Sequence, residues 1–320
     1  MPVVVVSEVF GPEDNQTTHT LLNLGQDLAD AGEYAEGEAM LRRVLKIVER
    51  TLGLDAFRTS ECRDALARTL AVQGKNLEAE SEARENVKIN DKTRGAEQSG
   101  WNRDLLGEIL EKQGKHEEAE PQFRQALRSN EKSLGRENIE TLSNRADLAR
   151  NLWYQGKNSE AEAQLRELIA LNEKVRGAKA YLLENNKNSR LSEELTPLTT
   201  KTLLANTLRD QQKYSESETR YKEIIQLEEK VLGPENADTL NACYNYAYQL
   251  GQQGRIKEAR MLGQRAAKGA AKVLGVTDPS TRKYTAFLTA LGSGHPIVLP
   301  EAKFHDSLLA RSSTAQQSSR

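Results

Sequence analysis

Glycine keeps time along this chain. Gly11, Gly53, Gly95, Gly135, Gly177, Gly233 and Gly275 stand 42, 42, 40, 42, 56 and 42 residues apart. A second marker, written QGK or a variant of it, runs through Gly32, Gly74, Gly114, Gly156, Gln212 and Gly254 with separations of 42, 40, 42, 56 and 42. Two rulers that share a period and its exceptions describe a chain of repeated units. Units of this size cannot bury their apolar faces alone, so they must stack.

Each interval between markers reads as one helix. In TLSNRADLARNLWYQGK, Leu148, Ala149 and Leu152 share a face, and in AEGEAMLRRVLKIVERTLG the residues Gly37, Leu41, Val44, Leu45, Val48 and Leu52 follow the three-to-four spacing of an amphipathic helix. Glycine after each helix suits an αL C-cap, where a Cβ would clash. The restarts GPENADT, GRENIET and GVTDPST offer side-chain oxygens to the first free amides of the next helix. Every unit is therefore expected to be a helical hairpin.

Small residues fall at two fixed places in each hairpin. Gly25, Ala67, Gly107, Ala149, Ala205 and Ala247 lie seven residues before the second marker, and Gly37, Ala79, Ala119, Ala161, Ser217 and Ala259 lie five after it. Small side chains there let helix backbones approach closely. The composition agrees: 37% hydrophobic, 5% aromatic and 29% charged residues suit helices with one wet face better than a thick core.

The pattern resembles the tetratricopeptide repeat in its 42-residue form, as in kinesin light chains. The residues that carry the likeness are LGPENADT, LARNLWYQGKNSEAE and LEKQGKHEEAEPQFRQALRSNEKSLG, and it extends over about residues 11–291. It implies an all-α fold, a right-handed α-solenoid (superhelix) of about six stacked antiparallel hairpins. Residues 1–10, with VVVV, read as the remnant of a preceding repeat or an N-terminal extension. The long interval places a 14-residue insertion near 178–197, expected as an edge loop. Residues 292–320 read as a capping segment and a disordered tail.

No catalytic constellation is legible. His19, His116, His295 and His305 sit at unrelated repeat positions, and no HExxH or GxSxG motif occurs. Neither an enzyme, a cofactor nor a metal site is expected. Cys62 and Cys243 are too isolated for a disulfide framework or a zinc site, which suits a reducing, cytoplasmic setting; Cys243 reads as core. Lysine and arginine total 45 against 47 acidic residues, so the basic excess of a nucleic-acid binder is missing. No apolar run is long enough for a membrane span. Paired acids such as Glu228 and Glu229 read as solvated surface.

In the family this chain resembles, the first helices of successive hairpins line a concave groove that binds peptides. Applying that phase here gives Arg150 and Trp153, then Asn206 and Arg209, then Asn241, Tyr244, Asn245 and Tyr248 as contact residues for a protein or peptide ligand. Amides can pair with a peptide backbone, arginines with carboxylates, and aromatic rings with apolar anchors. The resemblance also implies an asparagine ladder two residues before the small position, which only Asn23 and Asn245 retain. A second origin for the aromatics in NACYNYAYQL is packing against the C-terminal cap, with Tyr246 in the core. A second role is also open, a structural or regulatory module of a larger signalling protein that self-associates or docks onto other domains.

Overall fold

The computed structural model describes residues 11, 13–95, 100–182 and 190–293. They fall into two compact units, Met1–Gln155 and Gly156–Arg320. Unit 1 holds α1 (Asn15–Asp30), α2 (Tyr34–Leu52), α3 (Phe57–Val72), α4 (Asn76–Arg94), α5 (Gly100–Lys112), α6 (His116–Ser133) and α7 (Ile139–Tyr154). Unit 2 holds α8 (Asn158–Leu182), α9 (Arg190–Asp210), α10 (Tyr214–Val231), α11 (Ala237–Gln252), α12 (Ile256–Val273) and α13 (Pro279–Ser293). Each unit is a solenoid-like stack of antiparallel helix hairpins, and no strand occurs among the described residues. No described helix is long and apolar enough to cross a membrane.

The two glycine rulers terminate helices by different backbone geometries. At the second ruler, Gly74 takes φ 77° and donates to the Ala71 carbonyl at 3.3 Å, while Lys75 donates to Leu70 at 2.9 Å. This pair of reversed bonds is a Schellman cap. At the first ruler, Gly53 takes φ 92° and ψ 166°, an extended mirror-image region nearly reserved for glycine, and not the expected αL. Asn138, Asn236 and Asp278 then cap α7, α11 and α13, each accepting from a backbone amide two residues on at 2.8 Å.

The small positions do what their size suggests. A Cβ on Gly25 would stand 2.8 Å from Leu41, and one on Gly37 would stand 2.8 Å from the Gly25 carbonyl, so α1 and α2 touch nearly backbone to backbone. Around these contacts Leu41, Val44, Leu66, Leu70, Ile109, Phe123, Leu148 and Leu152 form the buried core of unit 1. Between the second and third hairpins the core turns polar. Asn86 and Asn102 both donate to Asp64, at 2.7 and 2.6 Å, and Asn90 donates to Ser60 at 3.0 Å. Every buried donor so paired avoids the cost of an unmet polar group.

Two expectations need correction. Gly177 does not stop a helix, because α8 continues to Leu182, and α9 already begins at Arg190. Of the inserted residues, 178–182 extend α8 and 190–197 open α9; residues 183–189 lie outside the described set. Glu228 is not solvated surface either. It is 4% exposed between α10 and its neighbours, its Oε2 lacks a hydrogen-bond partner, and burial together with the nearby Asp238 charge pushes its carboxyl up to about 8. Residues 1–10 and 294–320, expected as remnant, cap and tail, lie outside the described residues.

Candidate functional site

Unit 2 gathers six of the eight predicted contact residues on α9 and α11. Asn206 and Arg209 come from the last two turns of α9, and Asn241, Tyr244, Asn245 and Tyr248 follow one another at helical spacing on α11. The helical period brings 241, 245 and 248 to one face, with 244 beside them. α13 packs alongside α11 and contributes Lys283, Tyr284 and Phe287.

The floor of this face is tightly filled. Tyr244 is 3% exposed because its ring stacks on Tyr284 at 4.5 Å between centroids and meets Phe287 edge-on at 5.5 Å. Packing against the C-terminal hairpin therefore accounts for Tyr244. Tyr246 is buried from the other side, by α10: its ring stacks on Tyr221 at 5.7 Å and its hydroxyl donates to Glu218 at 2.7 Å. Asn206 is buried as well and accepts from the Tyr221 hydroxyl at 2.5 Å. Cys243 is fully buried, as expected, and burial pushes its thiol up to about 11.

Above that floor two polar side chains stay within reach of solvent, while Arg209 and Asn245 are buried beside them. Tyr248 and Asn241 are partly exposed, and Asn241 accepts from the Tyr284 hydroxyl at 3.3 Å. The Arg209 guanidinium donates to Asp210 at 2.8 Å and lies 5.1 Å from the centre of the Tyr248 ring, a cation–π distance. Asn245 is 3% exposed, yet its amide nitrogen has no hydrogen-bond partner. An orphaned donor of this kind costs about 1–3 kcal/mol, which an incoming acceptor can recover.

The remaining two predicted residues belong to α7 in unit 1. Arg150 donates to Glu111 at 2.7 Å and pairs with Asp147 at 2.7 Å. Burial lowers its affinity for a proton, but the two carboxylates more than offset that and hold it firmly charged. Trp153 is partly exposed, with its ring 5.2 Å from Tyr154, which in turn stacks on His116 at 4.9 Å. Arg150 is thus built into a charge network, and Trp153 edges an aromatic group.

That network contains one group of carboxylates close enough to share an ion. Oxygens of Asp104, Glu108 and Asp147 lie within 4.8 Å of one another. Burial, then repulsion from Asp147, pushes both Asp104 and Glu108 upward, so these acids retain protons more readily than free ones. Arg150 already pairs with Asp147, and Arg68 stands 3.8 Å from Glu108. Protein cations already occupy the flanks where an ion would gain most.

Lys283, Tyr284 and Phe287 are site residues that the sequence reading passed over. Lys283 lies 42 residues after Asn241, so the phase used for the other hairpins reaches it when carried one unit further. Its ammonium stands 4.8 Å from the centre of the Tyr244 ring. Burial and the nearby Arg209 charge push its amine down to about 8.

A model of the tetratricopeptide repeat matches residues 7–89, 99–174 and 197–280. Among solved structures, the fold is similar to the nearly identical TPR-like repeats of a putative kinesin light chain from Podosopora anserina, at 20% identity over 66% of this chain and 95% of that one, with a TM-score of 0.55. It is also similar to BtubC (BKLC) from P. vanneervenii, at 16% identity over 76% and 92% of the two chains, with a TM-score of 0.57. The apo form of RapI is 11% identical over 86% of this chain and 97% of its own, with a TM-score of 0.58. None of the curated proteins compared with the chain matches it.

Proposed function

Because the chain belongs to the tetratricopeptide repeat family, whose members generally serve as protein–protein interaction and scaffold modules, we propose that it is a non-enzymatic binding module that takes a peptide or an unstructured segment of a partner protein on the first-helix face of unit 2. The observation that carries this reading is Asn245, a buried amide with an unmet donor beside the partly exposed Tyr248. An extended segment supplies backbone carbonyls at regular spacing, and such a carbonyl matches an amide donor. The stacked rings beneath keep the face rigid, so little ordering entropy is lost on binding. Free, buried Cys62 and Cys243 are compatible with work in the cytoplasm.

Leu203 lies on α9 three residues before Asn206, and the test compares affinity capture from cells of the source by the full chain and by a variant carrying Leu203→Arg and Tyr248→Ala. Both positions are partly exposed, so equal helicity by circular dichroism is expected. Partners retained by the wild type and lost by the variant support the unit 2 face. An unchanged partner set would sink it and favour a module acting through self-association.

A further inference from the structure

In unit 1 the second helices of three successive hairpins carry the same pair of cations. Lys46 and Arg50 on α2, Lys88 and Lys92 on α4, and Arg128 and Lys132 on α6 follow one another at steps of 42 and 40 residues, and all six are exposed. The acids of these helix halves turn the other way. Glu49 pairs with Arg63, Asp91 with Arg103 and Glu131 with Arg145, each arginine coming from the first helix of the next hairpin. Arg63 and Arg145 are buried, so carboxylates are drawn inward and the cations are left outside. Lys88 meets Glu85 at 3.4 Å and Arg50 pairs with Glu13, while Lys46 and Lys92 have no carboxylate partner among the described residues.

Between α4 and α6 this strip of cations dips into an open cleft of about 520 Å³. Lys88 and Lys92 line one wall, the buried Val87 and Leu106 form the floor, and Arg103 crosses to Gln122 at 2.9 Å. At the preceding joint the place of Gln122 is held by Glu82, which accepts from Arg63 at 2.7 Å. The cleft therefore carries one negative charge fewer at that place. The helix macrodipole favours cations in a last turn, but Lys46, Lys88 and Arg128 stand more than a turn before their helix ends. Nor does the repeat itself demand them, since Ala170 and Gln226 take the same position in unit 2.

We propose that the second-helix face of unit 1 is a docking strip for an acidic, extended segment of a partner protein, which crosses α2, α4 and α6 over these six cations and sets one side chain into the cleft. It is a separate site from the first-helix face of unit 2 and is made of other helices. The dimensions select the occupant. Each pair of cations spans four residues, about 6 Å of helix axis, so the strip is narrow. Three helices set side by side at no less than about 10 Å span at least about 20 Å, which an extended chain covers in about six residues. The other halves of the same helices are acidic, with Glu36 and Glu38, then Glu78, Glu80 and Glu82, then Glu117, Glu118 and Glu120. A nucleic-acid duplex or a bilayer surface is wider than the strip and would lie on those acids as well, whereas one extended chain stays between them. Its carboxylates accept charge-assisted bonds from lysine and arginine, and the apolar cleft floor receives the stem of a side chain.

The probes are a fluorescein-labelled peptide of eight Asp and Glu residues, its Asn and Gln counterpart, a single-stranded DNA of equal charge, and vesicles containing phosphatidylserine, each titrated against the full chain at low salt. The acidic peptide should bind, and its amide counterpart should not. Lys88→Gln with Lys92→Gln should weaken the acidic peptide about fivefold, and Lys88→Arg with Lys92→Arg should keep the wild-type affinity. Lys230→Gln with Lys268→Gln removes the same charge from the equivalent positions of unit 2 and should change little. All four lysines are exposed, so thermal melts should match wild type. If the Lys88 and Lys92 variant melts lower, Lys46→Gln with Arg128→Gln, from the same strip, carries the same expectation. Equal losses in the unit 1 and unit 2 variants would reduce binding to net charge and overturn the site, as would no binding of the acidic peptide. DNA or vesicles held more tightly than the peptide, and lost with Lys88 and Lys92, would overturn the acidic segment as occupant.

Discussion

Lys75 donates to Glu38 at 2.6 Å, joining the start of one hairpin's second helix to the second helix of the hairpin before it. The neighbouring Gln73 donates to the same carboxylate at 2.7 Å. The pair recurs as Gln113 and Lys115 on Glu80, at 2.9 and 2.6 Å, and in unit 2 as Gln211 and Lys213 on Glu162, at 2.8 and 2.7 Å. QGK is thus more than a helix stop. Its glycine turns the chain, while the residues on either side clasp a glutamate of the preceding unit. Arg42, Arg84 and Arg166 close the clasp from the glutamate's own helix.

The clasp sets the acid limit of stability. Burial raises the carboxyls of Glu80, Glu162 and Glu218, but hydrogen bonds from lysine, arginine and glutamine side chains at the first two, and from Arg255, Lys222 and Tyr246 at Glu218, outweigh it and bring each down to about 2, against 4.5 for a free glutamate. A carboxyl depressed in the folded state adds stability that is complete above the unfolded value and disappears as pH falls through the folded one. Urea midpoints should therefore drop between pH 4.5 and 2. Glu80→Gln should be less stable than wild type at pH 5 and should approach it near pH 2.5. Equal midpoints for the two proteins at pH 5 would remove the clasp as a source of stability.

Gln212 occupies a marker position where the other hairpins use glycine, and it takes φ 61° to do so. It still makes the reversed cap, donating to Arg209 at 2.8 Å while Lys213 donates to Leu208 at 2.9 Å. A side chain in this region is strained by about 1–2 kcal/mol, part of which glycine returns as unfolded-state entropy. Gln212→Gly should raise the stability of the chain by roughly 0.5–1 kcal/mol, read as a higher urea midpoint with unchanged slope. A lower midpoint would mean that the Gln212 side chain contributes more than its backbone costs.

Gly107 argues the opposite case. It lies in α5 with ordinary helical φ, but an added Cβ would stand 2.7 Å from the ring of Phe123, which is fully buried. Helix propensity alone predicts that Gly107→Ala stabilises; the contact predicts overpacking that costs about 1–3 kcal/mol. Chemical denaturation of the variant decides between them, and the expected outcome is a loss. A double variant with Phe123→Leu should recover much of it, because the shorter side chain vacates the space.

Periodicity made the hairpins, the caps and the small contact positions legible, because each of these depends on local spacing. The repeat phase is legible for the same reason, and it puts Asn241, Asn245 and Tyr248 on successive turns of α11. What the phase could not supply is which residues a neighbour covers. Tyr244 shares that repeat phase and is buried, since the ring that hides it, Tyr284, arrives from the next hairpin. Arg150 also has the phase, but Glu111 and Asp147 enclose its charge. Cross-hairpin contacts of this kind have no signature in one helix. Glu228 was misread for a related reason, as an adjacent acidic pair looks wet until one member is turned inward.

Glu228 should make the chain most stable on the mildly acidic side of neutrality. Its carboxyl is raised by burial and by Asp238 to about 8, against 4.5 when free, so the folded state holds a proton that the unfolded chain releases over that range. With the sign worked through, its contribution is complete below about pH 4.5 and is lost as pH rises through about 8, the reverse of the clasp glutamates. Burial raises Asp64 to about 6, and it acts in the same direction over a narrower range. Together the two sets place the stability maximum near pH 5. Glu228→Gln keeps the shape and removes the ionisation, so its unfolding free energy should flatten between pH 5 and 8 and exceed that of wild type at pH 8.5 by an amount on the order of a few kcal/mol. Parallel profiles for the two proteins across that range would show that Glu228 gains a charge-stabilising partner on ionising, and the predicted maximum would move toward neutrality.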